Sequence, residues 1–133
     1  MVYSDFPFIL KRKELPGIRN RVAKRLSNLA VKHFNMSFDR EGFVDKTFQA
    51  WQPSQRALRG EGRTLTRTGA LRRSIRSVKT TYPNSKIVSD LQYSARHNDG
   101  EGGATQRQFM GRSEVLDKAS IKIMFEEFDK ILL

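Results

Sequence analysis

From Leu15 to about Phe34, apolar residues recur at Ile18, Val22, Leu26, Leu29, Ala30 and Phe34. This three-and-four spacing lines one face of an α-helix, with Arg19, Arg21, Lys24, Arg25 and Asn28 mostly on the other. Pro16 suits the first turn, where a missing N–H costs no intrahelical bond. The same period returns over residues 114–133 through Val115, Leu116, Ile121, Met124, Phe125, Phe128 and Leu132. Ser113 stands where a cap is needed, and Glu114 and Asp117 put negative charge at the positive end of the helix dipole. Between the helices, Gly60, Gly62, Pro83, Asn84, Gly100, Gly102 and Gly103 leave no room for another long helix. The segments "SIRSVKTTY" and "KIVSDLQY" are rich in β-branched and aromatic residues and flank "PNS". They predict a hairpin with strands near residues 75–81 and 86–91. The expected fold is α+β, a small antiparallel sheet packed with N-terminal and C-terminal amphipathic helices.

A chain of 133 residues makes one domain that buries about two thirds of the surface its unfolded form exposes. There is no cysteine, which excludes disulfides, thiolate metal sites and cysteine nucleophiles. The N-terminal "MVYSDFPFILKRKELPG" holds one short apolar patch, but its basic run follows that patch and no cleavage site is present. No segment approaches the apolar length of a membrane span. A soluble protein with no secretion signal and no membrane partner is expected.

Charge narrows the partners. Twenty-five basic residues stand against 14 acidic ones, for a net charge of +11, so DNA, RNA or an acidic protein face is a natural partner. Residues 56–79 carry Arg56, Arg59, Arg63, Arg67, Arg72, Arg73, Arg76 and Lys79 against the single acid Glu61. Residues 114–130 hold Glu114, Asp117, Glu126, Glu127 and Asp129 against three lysines. A chain with a basic middle and an acidic C-terminal face can also pair with copies of itself.

Catalytic chemistry is hard to assemble. His33, beside Phe34, reads as a half-buried helix residue, and His97 in "YSARHNDG" as part of a turn, because a metal site needs three or four convergent ligands. Asp39, Glu41 and Asp45 in "FDREGFVD" lack the alternating ligands of a calcium loop and read as a solvated connection. No nucleophile elbow, phosphate-binding loop or zinc-protease motif occurs. "RGEGRTLTRTGALR" sets glycines near arginines without the preceding apolar strand that a phosphate cradle requires. No enzyme activity, cofactor or metal is expected. The loop over residues 98–106, "NDGEGGATQ", reads as mobile.

In "LTRTGALRRSI", Thr66 or Thr68 can cap a short helical turn through Gly69, Ala70 and Leu71 that leads into a strand at Ile75. Leu65, Leu71 and Ile75 then point inward, and Arg67, Arg72, Arg73 and Arg76 outward. Here Leu65, Thr68, Gly69, Leu71, Arg72, Ser74 and Ile75 fall in the order of an L-x-x-TG-x-LR-x-SI signature. It resembles that of the tailed-bacteriophage virion morphogenesis family, the tail-completion or neck proteins. Upstream, Gly42 and Phe43 precede Trp51 and Pro53, similar to that family's Gly-Phe and Trp-x-Pro element. Downstream come Tyr93, Ala95, His97 and Gly100, then Arg107, Phe109, Gly111 and Ser113. Ser94 follows the tyrosine where the family usually has alanine, and Gln108 replaces its proline.

The resemblance implies a structural virion protein at the head-tail junction or tail end, made in the host bacterial cytoplasm, that assembles as a ring of six or twelve copies. Its partners would be copies of itself, the head-tail connector or adaptor, and tail terminator or tail tube proteins, with non-specific contact to genomic DNA in the lumen. Within such a ring, Arg63, Arg67, Arg72, Arg73 and Arg76 of one copy could meet Glu126, Glu127 and Asp129 of the next. Phe43, Phe48 and Trp51 read as core or interface residues before they read as a stacking platform for single strands. The alternative from composition alone is a standalone basic nucleic-acid-binding module.

Overall fold

The structure, a computed structural model, describes residues 15–82 and 84–130. Helix α1 (Leu15–Arg40) is followed by a short hairpin of β1 (Gly42–Val44) and β2 (Phe48–Ala50). The one-turn helices α2 (Gln55–Leu58) and α3 (Ala70–Ser74) lead to a second hairpin, β3 (Arg76–Thr81) and β4 (Asn84–Val88). Helix α4 (Ser94–Asp99), a 3₁₀ turn (Glu101–Gly103) and helix α5 (Glu114–Asp129) complete the order. The α+β class follows, with the sheet component divided into two antiparallel pairs.

Helix α1 continues past Phe34 because its apolar face continues: Ser37 and Phe38 are buried, and the Ser37 hydroxyl donates to the Phe109 carbonyl at 3.3 Å. The polar residues Asn35 and Asp39 hide that continuation in the sequence. The helix stops where Glu41 takes a left-handed backbone (φ 52°), the conformation that closes many helices. Gly42 then lies directly beneath the Phe48 ring, where a β-carbon would collide with both that ring and the Gln49 carbonyl.

At 26 residues and 1.5 Å per residue, α1 is long enough to serve two cores. Toward its C-terminal end, Ala30, Phe34 and Phe38 pack with Phe43, Trp51, Leu71, Ile75, Phe109 and Leu116. Phe38 meets Trp51 edge-on at 5.6 Å and Phe109 at 5.3 Å between ring centres, geometries that add to plain burial. Toward its N-terminal end, Ile18, Val22 and Leu26 pack with Met124 and Phe128 of α5. Ser113 caps α5 as expected: its hydroxyl accepts the Leu116 N–H at 3.1 Å and donates to the Val44 carbonyl at 2.8 Å. Asp45 accepts the Glu114 N–H at 2.8 Å, so the start of α5 is bonded to the first hairpin.

The second hairpin begins one residue later than expected and its return strand is β4 at residues 84–88, with an irregularity between Val78 and Thr81. The hairpin at residues 42–50 was not foreseen, because strands of three residues show too little alternation to register. "YSARHND" forms a helix instead of a turn, and a 3₁₀ turn occupies part of the segment read as a mobile loop. The N-terminal apolar patch within residues 1–14, Pro83, Leu132 and the expected helix end at Leu133 lie outside the described residues.

Candidate interaction surface

The motif residues are spread over some 70 positions, and Phe43, Trp51, Leu71, Ile75 and Phe109 among them come together around Phe38, while Pro53, Thr68, Tyr93 and Gly111 are exposed. Trp51, Leu71, Ile75 and Phe109 are all buried. The Trp51 indole N–H donates to the Gln108 carbonyl at 2.7 Å. Arg107 donates from Nε to the Gln52 carbonyl at 2.7 Å and from Nη2 to that of Pro53 at 3.4 Å, while its backbone N–H bonds the His97 carbonyl at 2.7 Å. Between those segments, the Asn98 side-chain oxygen accepts the N–H groups of both Phe109 and Met110 at 2.9 Å. The Tyr93 and His97 rings meet edge-on at 5.9 Å, and Gly100 ends α4 with φ 72°. Gly111 is also left-handed, at φ 149°. Ser74 bonds the Leu71 carbonyl and the Ser89 hydroxyl, both at 2.6 Å.

The TG turn sets the arginines. Gly69 adopts φ 77°, a backbone that residues with a β-carbon avoid, and the Thr68 hydroxyl accepts the Ala70 N–H at 3.3 Å. Leu65 is left-handed too (φ 58°) and leans on the Phe38 core. The surrounding basic side chains divide into two sets. Arg72 pairs bidentately with Asp39, and Arg76 bonds Asp90 at 2.8 Å. The guanidiniums hold both the Asp39 and Asp90 carboxyls below the usual aspartate range. Arg59 pairs with Glu61 at 2.9 Å. The second set hydrogen-bonds only neutral groups: Arg56 donates to the Glu61 and Arg63 carbonyls (2.9 and 2.7 Å), Arg63 to the Phe38 and Asp39 carbonyls, and Arg73 to that of Thr68 at 3.0 Å; the Arg63 charge also acts on the Asp39 carboxylate. Arg67 is exposed.

The acidic side is arranged differently from expectation. Glu127 is 2% exposed and faces its own chain: Arg21 at 3.3 Å, Arg25 at 3.0 Å and Lys130 at 3.3 Å. Burial alone would raise its carboxyl, but the hydrogen bonds from Arg25, Lys130 and Arg21 outweigh burial and leave it below the usual range. Glu126 bonds the other arm of Arg25 at 3.0 Å. Glu127 is therefore buried and paired within its own chain, and Asp129 alone of the three acids is exposed without an ion pair among the described residues.

Asp39, Glu41 and Asp45 are not a merely solvated connection: Asp39 pairs with Arg72, Glu41 accepts the Thr64 N–H at 2.9 Å, and Asp45 bonds α5. No residue type announces such roles, since each depends on a loop returning from 20 to 70 positions away. His33 is half-buried, with Nε2 bonded to the Val44 carbonyl at 3.1 Å. Burial lowers its pKa and that of His97, assisted by Arg40 beside His33 and by Arg107 and Arg96 beside His97. Among the described residues, no group of three or more His, Asp or Glu could hold a metal ion, and no helix is long and apolar enough to cross a membrane.

Trp51 and Phe43 are 7% and 5% exposed, which removes two of the three aromatics considered for stacking; Phe48 is 48% exposed. Leu58 and Val115 also stand out into solvent, and Val115 rims a mainly apolar pocket of about 250 Å³ lined by Leu29, Met36, Val44 and Leu116, with His33, Ser37 and Arg40 as its polar members. The chain matches no protein-family model, no curated protein and no solved structure.

Proposed function

We propose that this chain is a structural bacteriophage virion protein that acts through its surfaces at the head-tail junction or tail end, as a ring of six or twelve copies. The observation that carries the reading is the convergence of the four motif segments. Segments that carry the tail-completion pattern in order along the chain also meet in space: three are bonded through Trp51 to the Gln108 carbonyl, Arg107 to the Gln52 carbonyl and the Arg107 N–H to His97, and the fourth packs on them through Leu71 and Ile75. Ring closure needs two different faces on each copy. Exposed Leu58 and Phe48 supply apolar projections, and the pocket rimmed by Val115 supplies a recess of the size that takes one such side chain. Neighbours above and below would be the head-tail connector or adaptor and the tail terminator or tube.

The experiment is the mass of the purified protein by light scattering at low and moderate salt, alone and with purified tails or capsids. A closed ring of defined copy number, or a monomer that joins those particles, is expected. A monomer that ignores both particles and holds duplex DNA tightly at moderate salt overturns the reading in favour of a standalone nucleic-acid-binding module.

A further inference from the structure

We infer that the loop over residues 56–73 is a contact surface for the phosphate backbone of duplex DNA, with Arg56, Arg63, Arg67 and Arg73 as its phosphate-facing groups. The inference rests on the ring reading only in taking the DNA to be a packaged genome that passes the protein.

Three observations carry it. The first is charge. Carboxylates neutralise Arg59 and Arg72 locally, but among the described residues no carboxylate lies within ion-pair distance of Arg56, Arg63, Arg67 or Arg73. A backbone carbonyl accepts a hydrogen bond without cancelling the cation, so Arg56, Arg67 and Arg73 keep their charges, while Arg63 also feels the Asp39 carboxylate and keeps part of its own.

The second is preorganisation. A guanidinium has five N–H donors. Arg56 uses two on carbonyls and Arg73 one, which fixes the planes and leaves donors for phosphate oxygens, the geometry in which arginine binds best. The loop is shaped for this display, with left-handed backbone at Gly60 (φ 74°), Leu65 (φ 58°) and Gly69 (φ 77°) and a bridge between Arg63 and Thr66. Leu65 turns onto the core, and Arg63, Arg67 and Arg73 are left exposed.

The third is the absence of a base-reading or stacking element. Residues 56–73 contain no aromatic side chain, and nearby Trp51 is buried. A surface of this kind holds the backbone independently of sequence and suits a duplex, because single strands are held largely by stacking on aromatics.

The test is the affinity of the full chain for a short labelled duplex, followed by fluorescence anisotropy between about 50 and 200 mM salt. Four phosphate contacts give a slope of log K against log salt of about −3.6. The double substitution Arg67→Gln with Arg73→Gln should reduce that slope to about −1.8. Lys24→Gln with Lys122→Gln, which removes the same charge from exposed positions on α1 and α5, should leave it near the native value. Arg67→Gln alone, at a side chain with no bond in the described structure to lose, should take away about 0.9 and gives the answer even if the double variant folds poorly.

Equal losses from the arginine and lysine pairs would overturn the inference in favour of diffuse attraction to net charge. Poly-glutamate that competes as well as DNA at matched charge would overturn it in favour of an acidic protein partner. Ring assembly with no duplex binding would remove this surface and leave the ring; salt-dependent duplex binding without assembly would do the reverse.

Discussion

Arginine appears in two settings here. Along the seam between α1 and α5, Arg21 and Arg25 face the Glu127 carboxylate, whose side chain is only 3% exposed. Around residues 56–73, Arg56, Arg63 and Arg73 face backbone carbonyls that are formally neutral. The seam converts charge into cohesion: a buried acid is held by three cations and contributes little field outside. The loop converts hydrogen bonds into orientation and leaves the field of Arg56, Arg67 and Arg73 without an ion-pair partner among the described residues. Net charge along a sequence does not distinguish the two: both stretches are rich in arginine, but carboxylates reach both seam arginines, whereas in the loop they pair only with Arg59 and Arg72.

The largest effect should come from breaking the seam. Glu127→Ala removes the acceptor of three charge-assisted bonds while the arginines stay half in water, so no cation is stranded. We expect a loss of about 2 to 3 kcal/mol in denaturant unfolding at neutral pH. A change below about 0.5 kcal/mol would place the seam with ordinary surface ion pairs. The counterpart in the loop is Arg63→Ala, which leaves the Phe38 and Asp39 carbonyls at the end of α1 without their donor. Water can replace part of that bonding, and a loss of about 1 kcal/mol is expected.

The difference between these regions also separates what the sequence disclosed from what it did not. The apolar period identified both long helices, and the spacing around Gly69 identified the turn, because those signals are local and repeated. The outward position of Arg67 and Arg73 followed from the same pattern. The role of Glu127 did not. Its neighbours Glu126 and Asp129 are exposed, and burial of the middle acid depends on Arg21 and Arg25 standing across from it, about 100 positions earlier. The 42–50 hairpin was hidden for a related reason: its turn is bonded to the start of α5 through Val44 and Asp45, 69 positions away, contacts that no short window contains.

Acid sharpens the contrast with a smaller effect. His33 and His97 have lowered pKa values in the folded chain. As pH falls below the unfolded histidine value of 6.5, the unfolded chain binds protons first and stability declines. Glu127 is also lowered, so its contribution is present above the unfolded value of 4.5 and is lost as pH falls through the folded one. Two successive declines are expected in pH-dependent unfolding, and Glu127→Gln should shrink the second, which Asp39 also feeds, while preserving the first. If the second decline keeps its full size, the seam does not contribute to the acid limb.

The smallest effect on stability should accompany an increase in binding. Glu61 is the one acid in residues 56–73, and its carboxylate pairs with Arg59, both side chains more than half exposed. Such a pair contributes under about 0.5 kcal/mol, so Glu61→Gln should leave unfolding nearly unchanged. The scaffold should also survive, since Arg56 is held by the Glu61 backbone carbonyl and not by its side chain. What changes is the field: Arg59 loses its counter-charge and joins the four that have no ion-pair partner among the described residues. Duplex affinity should therefore rise and the salt slope steepen from about −3.6 toward −4.5, opposite in direction to the arginine substitutions at matched stability. An unchanged slope would mean that Arg59 points away from the phosphates and that the contact surface ends at Arg56 and Arg63.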